Sequence, residues 1–334
     1  MFFTALLLLL LLCLTLFSAQ AGEGVRQGLL LSYRALLPAL FPSMVLCSMI
    51  GALADQIPLP PSITVWLASL LCGFPLGIRT LTQGYHRGLF TKEETLRLSV
   101  CCSNASPAFL ITYIGEGILK SREAGLCLFL GQLLISLNCG LLLGVFHQNR
   151  PLVPKEQRLM LVITESIAAG AAGGVQLTGY VTIFAVVASL LNGFAFFDYF
   201  YPFLELCGGI MQLPAKGGIL LAAAAAGFSG LSVLLQNGSY LAKEGLSILP
   251  MLWGKVAYGL LLPFLVTLPN AIKILPFLLL FTLFCAIFHK TLTNREKRGI
   301  IRKNKQKDWE NDFFKRDRKN LRLLRAWQSD RRHR

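Results

Sequence analysis

The feature that most constrains this chain is a succession of apolar stretches, several of them long enough to cross a lipid bilayer. A transmembrane helix needs about 20 predominantly apolar residues. Of 334 residues, 54% are hydrophobic and only 15% are charged, whereas soluble domains carry about 25% charged residues. The pattern predicts an all-α polytopic membrane protein and excludes an ordinary soluble enzyme. The apolar stretches cover residues 2–17, 29–53, 63–76, 108–118, 124–146, 159–197, 217–235, 246–268 and 274–288.

Positive charge is concentrated at the C-terminus. Residues 290–334 hold 17 Lys and Arg against 6 Asp and Glu, whereas residues 1–289 hold 15 against 11. An excess of Lys and Arg beside a membrane span marks the cytoplasmic side, and anionic lipid attracts such segments. We therefore expect a cytoplasmic basic tail on anionic headgroups, with no nucleic-acid partner. Interleaved aromatic residues such as Trp309 and Trp327 fit a surface-lying amphipathic helix, the alternative being a disordered tail.

The first apolar stretch allows two interpretations. It ends at Ala19-Gln20-Ala21, which resembles a signal-peptide cleavage site. No Lys or Arg precedes it, which favours an uncleaved first transmembrane helix over residues 1–21. The expected organisation is then this helix, a membrane body over residues 22–289 and the tail over residues 290–334.

Several apolar stretches have the wrong length or contain helix breakers. Stretches 63–76 and 108–118 look too short to span a bilayer, and 159–197 is long enough to hold two elements. Pro38 and Pro42 predict an interruption in the second stretch. Short or broken apolar segments are typical of re-entrant hairpins and discontinuous helices in transporters. Irregular backbone at that depth must line a cavity or be buried in protein.

One predicted break lies in the first half of the chain. Thr91 and Glu94 form a capping box that predicts a helix start. That helix should end before Pro107, which cannot continue the hydrogen-bond ladder. Asn104 and Ser106 at this break offer side-chain hydrogen bonds, and a half-helix that starts there would present N–H groups to an anion. We therefore predict that both residues bind solute.

A cation, Arg79, follows directly on the first glycine-broken segment, which contains Gly73, Pro75 and Gly77, and we predict that all four residues belong to a substrate-binding site. Arg79 is placed at membrane depth if that segment is re-entrant, and charges there are usually paired or used for a substrate. Its guanidinium can hold a carboxylate through two parallel hydrogen bonds. Glu205 is the natural opposite charge in the second half, either as a partner of Arg79 or as a ligand for a coupling Na⁺ or proton. The alternative is that Arg79 snorkels to the headgroups.

The second half repeats this pattern of an apolar segment broken at glycine and followed by polar residues. Gly227-Phe228-Ser229-Gly230 occupies a place similar to that of Gly73-Phe74-Pro75. The spacing predicts two diverged pseudo-repeats of about 150 residues, each with a re-entrant hairpin and an interrupted helix. Ser229, Ser232 and Gln236 would then contribute to the site from the second half.

Catalytic and metal-binding interpretations have little support. The Gly-x-Ser-Gly string at Ser229 resembles that of rhomboid-type intramembrane proteases, but no histidine lies inside an apolar stretch to act as its base. The nine cysteines form no Cys-x-x-Cys pair, so a zinc site is not expected. We expect neither enzymatic activity nor an organic cofactor.

In these residues the chain resembles the sporulation integral membrane proteins that carry a nucleoside-recognition, or gate, domain and are related to concentrative nucleoside transporters. The segment from Gly73 to Arg79 is similar to the family's Gly-Tyr-Pro-x-Gly-Ala-Lys. The segment from Ser103 to Phe109 is similar to its Asn-Asn-x-x-Pro-x-Phe. Glu205 with Gly208, and the stretch from Gly227 to Gln236, are similar to its Glu and Gly-Leu-Ser-x-x-x-Gln elements. The likeness covers roughly residues 20–290, in this order. Arg79 stands in place of the usual Lys, Ser103 in place of an Asn, and the basic tail has no counterpart.

The resemblance implies secondary transport of a small anionic solute during spore formation. In that family the best-understood role is moving dipicolinic acid across the outer forespore membrane. The alternatives are a nucleoside-type transporter and a non-transporting scaffold for spore envelope assembly. The expected location is the cell membrane or the outer forespore membrane.

Overall fold

A computed structural model describes residues 2–53, 57, 59–146, 159–192, 197–213, 218–276, 278–280 and 282. The chain divides into two compact units, Met1–Leu278 and Leu279–Arg334. The helices below belong to the first unit, and the predicted basic tail lies outside the described residues. The described part is all-helical, without a strand, as predicted for a multi-pass membrane protein. Five helical stretches are long and apolar enough to span a membrane: Ser18–Ala52, Arg122–Leu142, Leu159–Leu191, Gly218–Lys243 and Leu249–Val266.

The N-terminal region is a nearly continuous helical path. Helix α1 (Phe2–Leu16) is followed by α2 (Ser18–Leu31), a π-helical segment (Ser32–Leu36) and α3 (Leu37–Ala52). The boundary predicted after residue 21 therefore falls inside α2.

The predicted interruption at Pro38 and Pro42 is wrong. Pro38 lies in the first turn of α3, where a missing N–H costs little, and Pro42 lies inside the helix. The π-helical segment ends directly before α3, so the helical path changes its winding ahead of Pro38 without ending.

Two short helices follow, joined by a tight turn. Helix α4 (Pro61–Cys72) ends at Gly73, which has a φ of +78°. Helix α5 (Leu76–His86) begins three residues later and packs against α4. Glycine is required at the turn because a side chain there would meet the backbone of Ser106.

The first predicted helix break is confirmed. Helix α6 (Lys92–Cys101) begins with the predicted capping box and ends as expected before Pro107. A π-helical segment (Ala108–Ile118) follows, and then α7 (Arg122–Leu142). The residues between Cys101 and Pro107 are not helical.

The stretch after residue 158 differs from its prediction. Helix α8 (Leu159–Leu191) is one unbroken helix of 33 residues, about 50 Å long at 1.5 Å per residue. Apolar length alone could not reveal this, because a long helix can extend beyond the bilayer or tilt within it. Two short helices, α9 (Phe197–Leu204) and α10 (Leu206–Met211), meet at Glu205.

The last helices contain the second break. Helix α11 (Gly218–Phe228) and helix α12 (Gly230–Lys243) meet at Ser229, whose φ is +76°. Helix α13 (Leu249–Val266) packs along α11, where Gly227 lies against the backbone of Tyr258.

A buried apolar cluster joins helices from both halves. Side chains of α4, α5, α6, α12 and α13 form it together, so the two sets of breaks are held by one core. Its members include Val65, Ile78, Leu81, Leu98, Cys101, Leu234, Leu241 and Met251.

Candidate functional site

A small cavity lies where helix breaks of the two halves meet, and we call it the central cavity. Its volume is about 20 Å³, enough for a water molecule or a bare cation. Four predicted site residues from both halves of the chain line it together with apolar side chains. These four polar residues are Ser106, Glu205, Ser232 and Gln236.

Glu205 enters the central cavity from the junction of α9 and α10. Its carboxylate accepts hydrogen bonds from the backbone N–H groups of Cys207, at 3.0 Å, and Gly208. The residue is 1% exposed. The first turn of α10 thus supplies donors to the carboxylate. A Cβ on Gly208 would lie 2.8 Å from the hydroxyl of Tyr201 and 3.0 Å from Glu205 Oε2, so glycine lets this loop close on the carboxylate.

Two polar side chains of α12 face the same cavity. Ser232 and Gln236 are four residues apart and therefore share one face of the helix. Within the described ranges, Ser232 Oγ and Gln236 Nε2 are buried without a hydrogen-bond partner. An unpaired buried polar group costs about 1–3 kcal/mol. At the central cavity both atoms are therefore free to bond to a water molecule or a ligand.

A second, larger space lies beside the central cavity, and we call it the vestibule. Its volume is about 840 Å³, and it is lined by parts of α3, α5, α8 and α12. Four of its residues are basic or can become so, and two are acidic. These residues are Arg79, His86, Arg87, Lys243, Glu165 and Glu244.

Arg79 lies at the end of the vestibule nearest to the central cavity. Its Nη1 donates a 2.7 Å hydrogen bond to the carbonyl of Ala169 on α8. The same helix contributes Ala169 to the vestibule and Leu177 to the central cavity. Helix α12 likewise contributes Gln236 to the central cavity and Tyr240 to the vestibule. The four residues on α12 rise about 6 Å and the eight residues on α8 about 12 Å, so one to two helical turns separate the two spaces.

The predicted partnership of Arg79 with Glu205 is not formed. The guanidinium bonds to α8 at the vestibule, whereas the carboxylate bonds to α10 at the central cavity. The sequence identified two charged groups beside glycine-broken apolar segments but could not give the distance between them.

Asn104 lies beside the central cavity but outside its lining. Its amide nitrogen lies within hydrogen-bond distance of the Cys101 carbonyl (2.7 Å) and of the hydroxyl oxygens of Ser69 (3.1 Å) and Ser136 (3.3 Å). The residue therefore holds the interrupted backbone of the first half against α4 and α7. Its predicted contact with a solute stays a prediction.

The remaining predicted residues shape the breaks. A Cβ on Gly73 would lie 2.7 Å from the backbone nitrogen of Ser106, and Gly77 packs against Ser69. Pro75 is buried at the turn and accepts the N–H of Arg79. Ser229 is buried, and its hydroxyl lies 3.5 Å from the Ala226 carbonyl.

Two residues that the sequence interpretation missed hold the broken backbone. Gln132 on α7 accepts the N–H of Ala105 and donates to its carbonyl, both at 2.9 Å. Asn237 donates to the hydroxyl of Ser103 at 2.8 Å. Gln132 lies within an apolar stretch and Asn237 directly follows one, and a buried amide in such a place is the signal that could have identified each.

No family model, curated protein or solved structure matches this chain. Within the described residues, fold and site define an α-helical membrane protein with five potential spans and an apolar core. A vestibule with basic side chains lies one to two helical turns from a small cavity lined in part by polar residues.

Proposed function

We propose that this protein is a secondary transporter of a small anionic solute. One observation carries the proposal: polar residues from helix breaks in both halves line a buried cavity beside a vestibule that contains Arg79. Transporters place their sites where discontinuous helices meet near the middle of the membrane. Unpaired polar atoms at such a site are expensive unless a guest uses them.

The order of the helices supports the proposal of two pseudo-repeats. In the first half, the pair α4–α5 precedes an interrupted helix, α6 with Ala108–Ile118, and the span α7. In the second half, the pair α9–α10 precedes the interrupted pair α11–α12 and the span α13. We propose that α4–α5 and α9–α10 are re-entrant hairpins that enter from opposite faces. Rocking of one part around the site would then give alternating access.

The vestibule fits the entry of a small anion. Ligand pockets are typically about 300–1,000 Å³, and the vestibule has about 840 Å³. The guanidinium of Arg79 at its inner end can hold a carboxylate bidentately. Gly73, Pro75 and Gly77 set the turn that positions Arg79. Asn104 and Ser229 hold the breaks that place Ser106, Ser232 and Gln236 around the solute.

The central cavity is too small for an aromatic dianion in the conformation described. Its volume is about 20 Å³, the size of one water molecule. The proposed cycle therefore has the solute bind first at Arg79 and enter the cavity when the hairpins separate. A coupling Na⁺ or proton would drive this step.

Dipicolinate is the proposed solute, and the resemblance to the sporulation membrane proteins supplies it. The protein would then lie in the outer forespore membrane or the cell membrane, with its basic C-terminus in the cytoplasm on anionic lipid. Glu205 favours a second candidate, a neutral nucleoside-type solute, because a buried carboxylate accepts hydrogen bonds from sugar hydroxyls and repels an anion.

Uptake by purified protein in liposomes tests this function. Radiolabelled dipicolinate and uridine are supplied separately to protein-containing liposomes and to protein-free liposomes. Saturable uptake of dipicolinate supports the anion transporter, and selective uptake of uridine supports the nucleoside candidate. Folded protein that moves neither solute refutes both and leaves the envelope scaffold as the remaining hypothesis.

A further inference from the structure

A second polar cluster lies inside the helix bundle, and none of its residues lines the vestibule or the central cavity. Its main member is Lys255 on α13, which is 0% exposed. The Nζ atom has no hydrogen-bond partner among the described residues and lies 4.7 Å from the ring centroid of Tyr258. The hydroxyl of Tyr258 is also buried, and Ser136 and Cys139 lie beside it.

The surroundings of Lys255 supply no opposite charge. Cys139 on α7 lies beside both Lys255 and Tyr258. Helix α6 places Cys101 and Cys102 near Tyr258. Helix α11 packs along α13 with only glycine, alanine, leucine, isoleucine and phenylalanine. Among the described residues, the groups placed beside Lys255 are thus the Cys139 thiol and the Tyr258 ring, and no carboxylate is placed there.

A path of polar groups leads from this cluster to the first helix break. Ser136 lies beside Tyr258 and within 3.3 Å of the Asn104 amide nitrogen. Asn104 Oδ1 is itself buried without a partner in the described structure. Gly254, next to Lys255, packs against Val100 in the last turn of α6. The helix segment that carries Lys255 is therefore packed against the end of α6, where the break that places Ser106 in the central cavity begins.

We propose that Lys255 binds the proton that drives transport. An unpaired ammonium in the membrane interior costs several kcal/mol, and ionisable residues there are usually functional. Binding one proton converts the amine to an ammonium, which has the face of the Tyr258 ring beside it but no hydrogen-bond acceptor among the described residues. Protonation therefore favours a rearrangement towards Ser136 and Asn104, and this links the charge on Lys255 to the geometry of the break. The inference rests on the proposed transport function and adds its coupling ion and residue.

The test uses the full chain in liposomes, with Lys255→Met, Lys255→Arg and the exposed control Lys273→Met. Two fluxes are measured with dipicolinate and with uridine: accumulation driven by a pH gradient, and exchange without a gradient. The expected result for Lys255→Met is retained exchange with loss of gradient-driven accumulation. Lys255→Arg should lose both fluxes because its side chain stays charged, and Lys273→Met should keep both.

The outcomes separate this proposal from the function on which it rests. The role of Lys255 is overturned if wild-type transport does not depend on the pH gradient. It is also overturned if the Lys255→Met variant still accumulates solute when the gradient is applied. In both cases the proposed transport function stands. Wild-type protein that moves neither solute overturns both. Thermal unfolding in detergent gives an independent check. Met should raise the unfolding midpoint by removing an unpaired amine, and a lowered midpoint would show that the amine has a stabilising partner.

Discussion

The side-chain amide of Asn237 donates a 2.8 Å hydrogen bond to the hydroxyl of Ser103, which lies 134 residues earlier in the chain. Both residues are buried. Asn237 follows Gln236 of the central cavity on α12, and Ser103 lies in the non-helical segment of the first break. The bond therefore joins the helix that lines the cavity to the interrupted backbone of the other half.

A double-mutant cycle on this pair should show direct coupling. We expect Ser103→Ala and Asn237→Ala to have a coupling free energy of about 0.5–1.5 kcal/mol. Chemical unfolding of the four proteins in detergent measures it. Additive effects of the two substitutions would show that the bond does not join the halves.

Removing an unpaired polar group of the central cavity should abolish transport without lowering the unfolding free energy. Gln236→Leu deletes a buried amide nitrogen that has no partner in the described structure, so its unfolding free energy should be unchanged or higher by about 1–3 kcal/mol. Transport should be lost, since the solute loses its hydrogen-bond partner. The matched control Gln27→Leu changes an exposed residue of α2 and should transport normally. Normal transport by Gln236→Leu would exclude this residue from the site.

The amide of Gln132 should be essential for the first break. Gln132→Leu leaves the N–H and the carbonyl of Ala105 unpaired inside the protein. We expect a loss of about 1–3 kcal/mol of unfolding free energy for each group left unpaired. Denaturant unfolding in detergent measures this loss. An unchanged unfolding free energy would mean that other groups satisfy the broken backbone.

Alanine substitutions at Gly77 and, as a control, at Gly179 test the close packing at the turn between α4 and α5. A Cβ on Gly77 would overlap the Cys102 carbonyl and the side chain of Ser69, so Gly77→Ala should lower the unfolding free energy by about 1–3 kcal/mol. Gly179 on α8 has no atom within 4 Å of an added Cβ. Gly179→Ala should therefore stabilise the helix by up to about 1 kcal/mol. Equal effects of the two changes on the unfolding midpoint would contradict the packing at Gly77.

Local signals in the sequence predicted the helix break best. The capping box at Thr91 and Glu94 and the stop before Pro107 depend on neighbouring residues alone, and the structure confirms both. The interruption predicted from Pro38 and Pro42 was wrong because the effect of a proline depends on its position in the helix and on the turn before it.

Contacts between distant segments could not be derived in the same way. The sequence pointed to Glu205 and Gln236 as polar residues in apolar company, and the structure brings both to one cavity. The sequence could not show that Arg79 bonds to a backbone carbonyl and not to Glu205, because a sequence does not give the distance between two side chains. Gln132 and Lys255 were missed because a single polar residue in an apolar stretch does not reveal which helix it faces.

The most direct test of the account is the initial rate of dipicolinate uptake by Arg79→Gln in liposomes, beside wild type and Arg26→Gln. Arg26 is an exposed arginine paired with Glu23, so its loss should leave the rate unchanged. A charged hydrogen bond contributes about 1.5–3 kcal/mol, so Arg79→Gln should reduce uptake by about ten- to a hundredfold. Uptake by Arg79→Gln at the wild-type rate would show that the solute does not pass this guanidinium, and would contradict the central claim.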